Sequence, residues 1–351
     1  MIENRRKIRV CMFPSHNPIN EGVNLIARGV MDTGKVEIKK YNYVKSIFSR
    51  ADLFHVHWPD LTVDNVHWPW HVIKVILFLC YVLLCKCLRR PIVWTVHNVG
   101  SHEYNSTLSE RLLWRVFLPC VSWAIHLCPA SEGALSRLTR HLPPGSVIPH
   151  PHYRSVYPSG MSQSTARQAL DLPHDAFVVS SFGFLRPYKG FEDLVAAFSS
   201  WSCTKARLLI AGKPMFQGIA SNLSQLAQSD SRIKLTLRSI ENGELQNIIC
   251  ASNVIVLPYR NILNSGVAMV ALSLNRPILA PSAGSILEYN ERLGSDWILM
   301  FNEKIQPRDL QIAYEQFQNR DSSSQADLEW MDPSRTGSAI FQVYQNLLGH
   351  D

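Results

Sequence analysis

The stretch SSFGFLRPYKGFEDLVAAF, residues 180–198, leads from a strand through a loop into a helix. Its apolar run ends at Gly183, the loop carries Arg186 and Lys189, and a helical pattern begins at Phe191. This layout points two cations and a helix N-terminus at one place, which suits a diphosphate group. The alternative interpretation is a solvated turn with ordinary surface cations.

Strand and helix patterns alternate after this stretch. Such alternation predicts a parallel sheet with both faces covered by helices, a doubly wound α/β domain. The predicted strands are at 177–184, 207–212, 233–237, 254–259 and 277–281. The predicted helices are at 191–201, 221–228, 241–252 and 265–275.

A similar alternation occupies the first half of the chain. Short apolar runs at 9–13, 53–56, 92–96, 128–131 and 146–149 are predicted strands or strand ends, and a helix is expected at 133–142. Residues 149–173 have the composition of a linker with one helix at 165–172. We therefore predict domains at 1–155 and 156–330, followed by a helical tail at 331–351.

Composition restricts the class of protein. A chain of 351 residues with 46% hydrophobic residues is long enough for about two domains with real cores. A formal net charge of +7 favours anionic partners such as nucleotides, phosphates or acidic lipids. The eight cysteines have no C-x-x-C pairing and lie mostly in apolar runs, so we expect buried thiols in a reducing cytosol. No stretch near the start is typical of a signal peptide.

The run VIKVILFLCYVLLCKCL at 72–88 has two interpretations. Its uninterrupted apolar part, 75–85, is well short of the ~20 residues that a spanning helix needs. It can be the ordinary helix that covers the first sheet. Alternatively, one face is exposed and docks on a membrane, where Lys86, Arg89 and Arg90 would meet anionic head groups.

The 180–198 stretch resembles the "G-x-x-x-x-x-KG" donor-binding signature of GT-B glycosyltransferases, especially family 4 and its relatives. The resemblance continues in order through IAGK at 210–213 and the runs from 254 to 288. It implies the GT-B fold, with two facing doubly wound Rossmann-like domains and a nucleotide-sugar site in the second. Gly183, Arg186 and Lys189 would then bind the donor diphosphate.

The sequence departs from family 4 at one point. Retaining members carry two glutamates with seven residues between them, and an alignment on Pro277 puts Ile262 and Val270 at those positions. The chain instead offers Ser265 and Gly266 at a helix start, where backbone N–H groups can hold phosphate oxygens. A further donor-side candidate is Glu288, expected to bind a ribose hydroxyl unless it is only a helix-start charge. Arg260 and Arg238 are candidates to reach the nucleotide, although surface cations are the commoner outcome.

The first domain resembles a narrower group, the inverting β-mannosyltransferases of family 94 that build lipid-linked exopolysaccharide repeat units. His57-Trp58-Pro59-Asp60 is similar to the family's "HWPE" motif, and TVHNVGSHE at 95–103 to its "HN...HE" motif. Asp60 replaces the commoner Glu. SHNP at 15–18 is similar to an "NPY" turn, with Ile19 in place of the Tyr.

This resemblance implies an inverting transfer of mannose from GDP-mannose to a lipid-linked oligosaccharide at the inner face of the cell membrane. An inverting reaction needs a base that takes the acceptor proton. Asp60 is the first candidate and Glu103 the second; each can instead be a capping or turn residue. The expected acceptor contacts are His57, Trp58, Asn17 and His102. His97 is expected to touch the donor, or else to pack against the sheet.

No cofactor is expected, because the cations and helix N-terminus can stabilise the leaving diphosphate without a metal. The sequence has no Asp-x-Asp motif. A zinc site from His55, His57, His67 and His71 is a less favoured alternative. Other functions stay open: a UDP-sugar transferase, a retaining family 4-like transferase, or a sugar-binding protein without catalysis. A nucleic-acid protein is disfavoured because the cations are scattered.

Overall fold

The computed structural model describes residues 6–16, 21–62, 70–98, 108–137, 139, 142–157 and 161–349. The chain forms two compact units. The first combines residues 1–151 with 329–351, and the second consists of residues 152–328. We describe each unit by itself.

The first unit contains a parallel sheet whose described strands follow the order β2-β1-β3-β4-β5-β6. The strands are β1 Ile8–Phe13, β2 Val36–Lys40, β3 Leu53–Val56, β4 Ile92–Val96, β5 Trp123–His126 and β6 Gly145–Val147. The helices are α1 Glu21–Met31, α2 Trp70–Cys87, α3 Leu108–Phe117, α4 Ala130–Ser136 and, from the end of the chain, α12 Pro333–Leu348. Every residue of β3 and β4 is buried, as expected for central strands covered on both faces.

Helix α2 buries one face and exposes the other. Val75, Phe78 and Val82 lie in a core with residues of β3, β4 and α3. Exposed positions at Ile73, Ile76, Cys80, Leu83 and Cys87 recur at helical spacing along the other face. The buried face fits a helix that covers the sheet, and the exposed apolar face fits membrane docking. Both interpretations of residues 72–88 therefore stay open. No helix in the described part of the chain is long and apolar enough to cross a membrane.

The closing helix α12 packs on α1 in the first unit. A Cβ atom at Gly337 would lie 2.1 Å from the carbonyl carbon and oxygen of Gly29. A Cβ atom at Gly29 would lie 2.3 Å from the carbonyl oxygen of Pro333. The two glycines thus let the helix backbones approach closely, and Ile340 and Tyr344 join the core beneath β1 and β3.

The second unit contains a second parallel sheet, with described strands in the order β12-β11-β10-β7-β8-β9. The strands are β7 Phe177–Phe182, β8 Ala206–Ala211, β9 Ile233–Thr236, β10 Val254–Val256, β11 Ile278–Pro281 and β12 Ile298–Phe301. The helices are α5 Gln163–Ala169, α6 Phe191–Ser199, α7 Ile219–Ala227, α8 Asn242–Ala251, α9 Gly266–Ser273, α10 Ser285–Leu293 and α11 Pro307–Phe317.

The predicted doubly wound α/β class is confirmed, while several boundaries differ. Residues 128–131 form a turn into α4 rather than a strand end, and the helix predicted at 133–142 is α4, which begins and ends earlier. Strands β2, β5 and β12 were not predicted. The cysteines form no disulfides, but Cys80 and Cys87 are exposed rather than buried.

Candidate active site

Two motif histidines of the first unit meet at the carboxyl edge of its sheet. His57 follows β3 and His97 follows β4, and these strands are neighbours with parallel register. Nδ1 of His57 lies 3.0 Å from Nε2 of His97, a hydrogen bond whose donor depends on the tautomers. The ring of Trp58 lies 4.3 Å from that of His97 between centroids. The structure thus brings together residues of two motifs that the sequence analysis singled out.

A third histidine packs against this pair. His55, on β3, stacks on His57 with ring centroids 4.5 Å apart and planes 29° apart. Its Nδ1 lies 2.6 Å from the hydroxyl of Tyr344, on α12, and its Nε2 lies 2.7 Å from the hydroxyl of Thr95, on β4. Both nitrogens of His55 are therefore engaged. No sequence pattern connected Tyr344 with the site, and Thr95 was quoted only as the start of the second motif.

Burial keeps these imidazoles neutral. Loss of solvation lowers the pKa of His55 to about 3, and the same cause lowers the pKa of His57 and His97 well below the usual value. His150, whose ring lies 6.4 Å from that of His97, also has a pKa lowered by burial. His57 is fully buried and His97 is buried, so neither ring lies on an open surface. Neutral imidazoles can exchange hydrogen bonds with sugar hydroxyls without carrying charge.

Asp60 lies in a short 3₁₀ turn, Pro59–Thr62, that directly follows the histidine motif. The turn is closed by a hydrogen bond that the Thr62 hydroxyl donates to the carbonyl of Pro59, at 2.7 Å. It contacts both α2 and α3. Asp60 itself is half-buried. The other acceptor-side candidates, Asn17, His102 and Glu103, lie outside the described residues.

The zinc alternative receives no further support from the described residues. Within the ranges that the structure describes, no group of three or more His, Cys, Asp or Glu side chains is arranged to hold a metal ion. His55 and His57 stack on one another, but both nitrogens of His55 and Nδ1 of His57 are directed to Tyr344, Thr95 and His97. His67 lies outside the described residues.

The second unit brings Gly183, Lys189 and the start of α9 together. A Cβ atom at Gly183 would lie 3.2 Å from Nζ of Lys189 and 3.4 Å from Cγ2 of Val267. Ser265 caps α9, because its hydroxyl accepts a hydrogen bond from the N–H of Ala268 at 3.2 Å. The cap leaves the earlier N–H groups of the helix, including that of Gly266, to other acceptors. Lys189 and the first turn of α9 thus lie on either side of the space beside Gly183.

Close backbone contacts shape this loop. Gly183 has a φ of +110°. A Cβ atom at Gly212 would lie 1.8 Å from the carbonyl oxygen of Gly183. Gly190 has a φ of +65° and lies against the carbonyl of Pro258. Between them, Lys189 is buried with Nζ 5.2 Å from the centroid of the Tyr259 ring. Arg186, at the start of the same turn, is half-buried.

The two positions where family 4 carries glutamates are apolar and buried, at Ile262 and Val270. Glu288 lies in the first turn of α10, where burial raises its pKa and Arg292 partly offsets the rise. Oε1 of Glu288 lies 3.3 Å from Nε of Arg292, whereas the buried Oε2 has no hydrogen-bond partner. An uncompensated buried oxygen is suited to a ligand hydroxyl.

Arg260 and Arg238 are held by carboxylates of the second unit. Nε of Arg260 donates to Oδ2 of Asp193 at 2.7 Å. Arg238 makes a two-pronged contact with Glu244 at 2.8 and 2.7 Å. The pKa of each guanidinium is raised by its carboxylate. Because a carboxylate already neutralises each guanidinium, these pairs argue against nucleotide binding by either arginine.

One neighbour of the α9 start was not predicted. The hydroxyl of Tyr153 would be 3.6 Å from a Cβ atom at Gly266, and the N–H of Tyr153 donates to the hydroxyl of Ser273 at 2.8 Å. Tyr153 follows the first unit in a segment predicted only as linker, and no strand or helix pattern marks it.

Comparison with known proteins identifies similar enzymes. No known protein-family model matches the chain. A GDP-mannose:glycolipid 4-β-D-mannosyltransferase of Xanthomonas campestris pv. campestris is 27% identical over 320 residues, which cover 90% of this chain and 86% of that enzyme.

Solved structures share the fold over nearly the whole chain. The Anabaena protein Alr3699/HepE in complex with UDP and glucose superposes with a TM-score of 0.72 at 16% identity, covering 96% of this chain and 99% of that one. Sucrose-phosphate synthase from Thermosynechococcus elongatus gives a TM-score of 0.71 at 15% identity, covering 99% and 100%. The predicted resemblance is confirmed: the chain is a glycosyltransferase with the GT-B fold.

Proposed function

We propose that the protein is an inverting mannosyltransferase, which moves mannose from GDP-mannose to a lipid-linked oligosaccharide in bacterial exopolysaccharide synthesis. The observation that carries the proposal is the convergence of Lys189, Gly183 and the α9 start in one unit of a chain similar to a glycolipid mannosyltransferase. That convergence suits the diphosphate of a nucleotide sugar. The glycolipid in the relative's name supports a lipid-linked acceptor.

In the proposed reaction, Asp60 takes the proton from the acceptor hydroxyl as that oxygen attacks the anomeric carbon. The bond from this carbon to the diphosphate breaks, and the nucleotide leaves from the opposite face. Arg186, Lys189 and the N–H groups at Ser265 and Gly266 stabilise the negative charge that develops on the leaving group. Glu103 is the second candidate for the base, and we propose that no metal is needed.

The inverting outcome is preferred to a retaining one because Ile262 and Val270 stand where retaining family 4 enzymes carry glutamates. Neither side chain can hydrogen-bond a sugar or ribose hydroxyl. Glu288, with its unpartnered buried oxygen, is proposed to bind the ribose instead. Measuring the anomeric configuration of the product by NMR tests this preference; an α-linked mannoside would contradict it.

The nucleotide of the donor needs its own test, since a solved structure with the same fold contains UDP and glucose. A ligand that binds only the folded state raises the unfolding temperature. We expect GDP to raise it more than UDP, ADP or TDP does. Stabilisation by UDP but not GDP would favour the UDP-sugar alternative. No response to any nucleotide would contradict the transferase proposal and favour a binding protein without catalysis.

The proposed base is tested by Asp60→Asn. The amide cannot accept a proton, so mannose transfer should fall by at least ~100-fold, the lower range for general-base catalysis. GDP should still raise the unfolding temperature by the same amount as in the wild type. Turnover close to that of the wild type would remove Asp60 as base and direct attention to Glu103.

We also propose that the first unit rests peripherally on a membrane through the exposed face of α2. Trp70, Ile76 and Leu83 are exposed along it, and exposed Phe48 and Leu108 belong to neighbouring elements of the same unit. The exposed Lys86 and Arg89 near the end of α2, with the half-buried Arg90, match anionic head groups. The Asp60 turn contacts α2 and α3, so docking would hold the candidate base near a lipid-linked acceptor.

Co-sedimentation with phosphatidylglycerol vesicles tests this surface. The double variant Ile76→Glu with Leu83→Glu should lose vesicle binding, because two charges would have to enter the apolar boundary. Ile312→Glu is the matched control, since Ile312 is equally exposed on α11 of the other unit. Equal binding by the double variant and the control would exclude α2 as the docking face.

A further inference from the structure

The closing helix α12 places one side chain, Tyr344, in contact with the histidines of the first unit. Tyr344 is fully buried on α12, and its hydroxyl lies 2.6 Å from Nδ1 of His55. The other nitrogen of His55 lies 2.7 Å from the Thr95 hydroxyl. A ring held at both nitrogens cannot rotate without breaking a hydrogen bond in a fully buried environment, which is costly.

The orientation of His55 restricts that of the two motif histidines, because the three rings are in contact. His57 stacks on His55 at 4.5 Å between centroids, and its Nδ1 lies 3.0 Å from Nε2 of His97. The ring of Trp58 packs against that of His97, with centroids 4.3 Å apart. A tilt of His55 therefore has to move His57, and His57 cannot move without changing its hydrogen bond to His97.

The tautomers are linked in the same way. A neutral imidazole has one N–H and one lone pair, so the two hydrogen bonds of His55 must run in opposite senses. If the Tyr344 hydroxyl donates to Nδ1, then Nε2 donates to Thr95; otherwise both bonds reverse. Removing the tyrosine hydroxyl leaves Nδ1 without a partner and removes this constraint.

We propose that Tyr344 is a positioning residue for the transfer reaction: through His55 it holds the His57–His97 pair in the orientation that meets the acceptor. In this proposal His97 serves the acceptor and not the donor. The proposal rests on the transferase function proposed above. It assigns a role in the site to a helix that follows the whole second unit in the sequence and returns to the first.

Tyr344→Phe is the direct test, with GDP-mannose as donor and synthetic lipid-linked oligosaccharides as acceptors. Displacing a site by a fraction of an ångström costs rate, so we expect kcat/KM for the acceptor to fall about tenfold while KM for GDP-mannose stays within about twofold. The matched control is Tyr41→Phe, because the Tyr41 hydroxyl is buried in the same unit without a hydrogen-bond partner. That control should leave both constants unchanged.

A purely structural role predicts a different result. If Tyr344→Phe lowers the unfolding temperature but leaves the acceptor kinetics equal to those of Tyr41→Phe, the positioning role is wrong. If Tyr344→Phe does not fold, the pair Thr95→Val and Thr95→Ser decides. Thr95→Ser keeps the hydroxyl and should retain more acceptor kcat/KM than Thr95→Val; equal values would overturn the proposal.

A spectroscopic measurement separates this proposal from the proposed function. The imidazole ¹⁵N chemical shifts of His57 and His97 report tautomer and hydrogen bonding without any reaction. We expect them to change in Tyr344→Phe and to stay fixed in Tyr41→Phe. A wild-type protein that transfers no mannose would remove the proposed function, whereas unchanged shifts in Tyr344→Phe would remove the positioning role.

Discussion

Single residues decide whether the candidate phosphate loop can form. Gly183 adopts a φ of +110°, and its missing side chain leaves the space beside Nζ of Lys189 open. We expect Gly183→Ala to weaken GDP binding at least about tenfold and to cost about 1–2 kcal/mol of stability, because a Cβ is strained in this region of φ. Isothermal titration with GDP and urea unfolding measure the two effects.

Gly218→Ala provides the control for backbone strain alone. Gly218 also has a positive φ, +87°, but a Cβ there would meet nothing within 4 Å. The Gly218→Ala variant should lose a similar amount of stability and bind GDP as the wild type does. Equal GDP affinity in both variants would show that Gly183 does not border the nucleotide site.

Glu288 should make stability depend on pH in a direction opposite to that of most carboxylates. Burial raises its pKa above the ordinary value of 4.5, so the native state holds the proton more tightly than the unfolded chain. Its ionisation therefore destabilises the fold as pH rises above 4.5. We expect Glu288→Gln to be more stable relative to wild type at pH 7.5 than at pH 4.5, measured by urea unfolding. A stability difference that does not change between these two pH values would contradict the raised pKa of Glu288.

Local site features were predictable where one short segment contains them. Gly183 and Lys189 lie in a single strand–loop–helix, and His57 and His97 each follow a strand of the predicted sheet. Tyr344 was not predictable, because 289 residues separate it from His55 and its helix pattern shows only an apolar position. The ion pair of Arg260 with Asp193 was equally hidden, since a sequence does not show which carboxylate a cation meets.

At the scale of elements, the crossing of α1 and α12 depends on two glycines. A Cβ at Gly337 would lie 2.1 Å from the Gly29 backbone, which has no flexible end to move aside. We expect Gly337→Ala to destabilise the protein by about 1–3 kcal/mol, the usual cost of overpacking. Gly133→Ala is the control: Gly133 lies in α4 with open space around it, so the better helix propensity of Ala should make it neutral or stabilising. Thermal unfolding compares them, and equal shifts would exclude a tight crossing.

Element prediction succeeded for the apolar runs of the central strands and missed β2, β5 and β12. The runs that became β3, β4, β7 and β8 are nearly all apolar and have clear helical neighbours. By contrast, β2 has the sequence VEIKK with only Val36 buried, which resembles a polar surface segment. Strand β12 lies in a stretch to which the sequence analysis assigns no element. Edge strands of this kind lack the apolar pattern that marks central ones.

At the scale of the whole molecule, the repeated βα alternation predicts two doubly wound units, and the order of elements along the chain places one after the other. That order does not show that the chain returns to the first unit at its end, where residues 329–351 rejoin residues 1–151. The return is set by packing: Ile340 and Tyr344 supply apolar surface that β1 and β3 leave to be covered. Helix periodicity alone indicates an apolar face but not its partner.

The two units should also respond differently to acid. In the first, burial lowers the pKa of His55 to about 3 from an ordinary value of 6.5, and it lowers the pKa of His57, His97 and His150 as well. A lowered histidine pKa means that the unfolded chain binds more protons, so stability falls as pH drops below 6.5. For His55 alone, moving to pH 5 should cost about 2 kcal/mol. In the second unit, protonation of Glu288 acts in the opposite direction.

Hydrogen exchange read separately on β4 and β8 measures this difference. Between pH 7 and pH 5, after correction for the intrinsic exchange rates, the free energy of opening should fall for the amides of β4 by at least about 2 kcal/mol. The amides of β8 should change much less, because the pair of Asp230 with Arg232 holds the pKa of Asp230 below its ordinary value and keeps that carboxylate ionised over this range. A parallel loss of protection in both strands would mean that the buried histidines of the first unit do not control its response to acid.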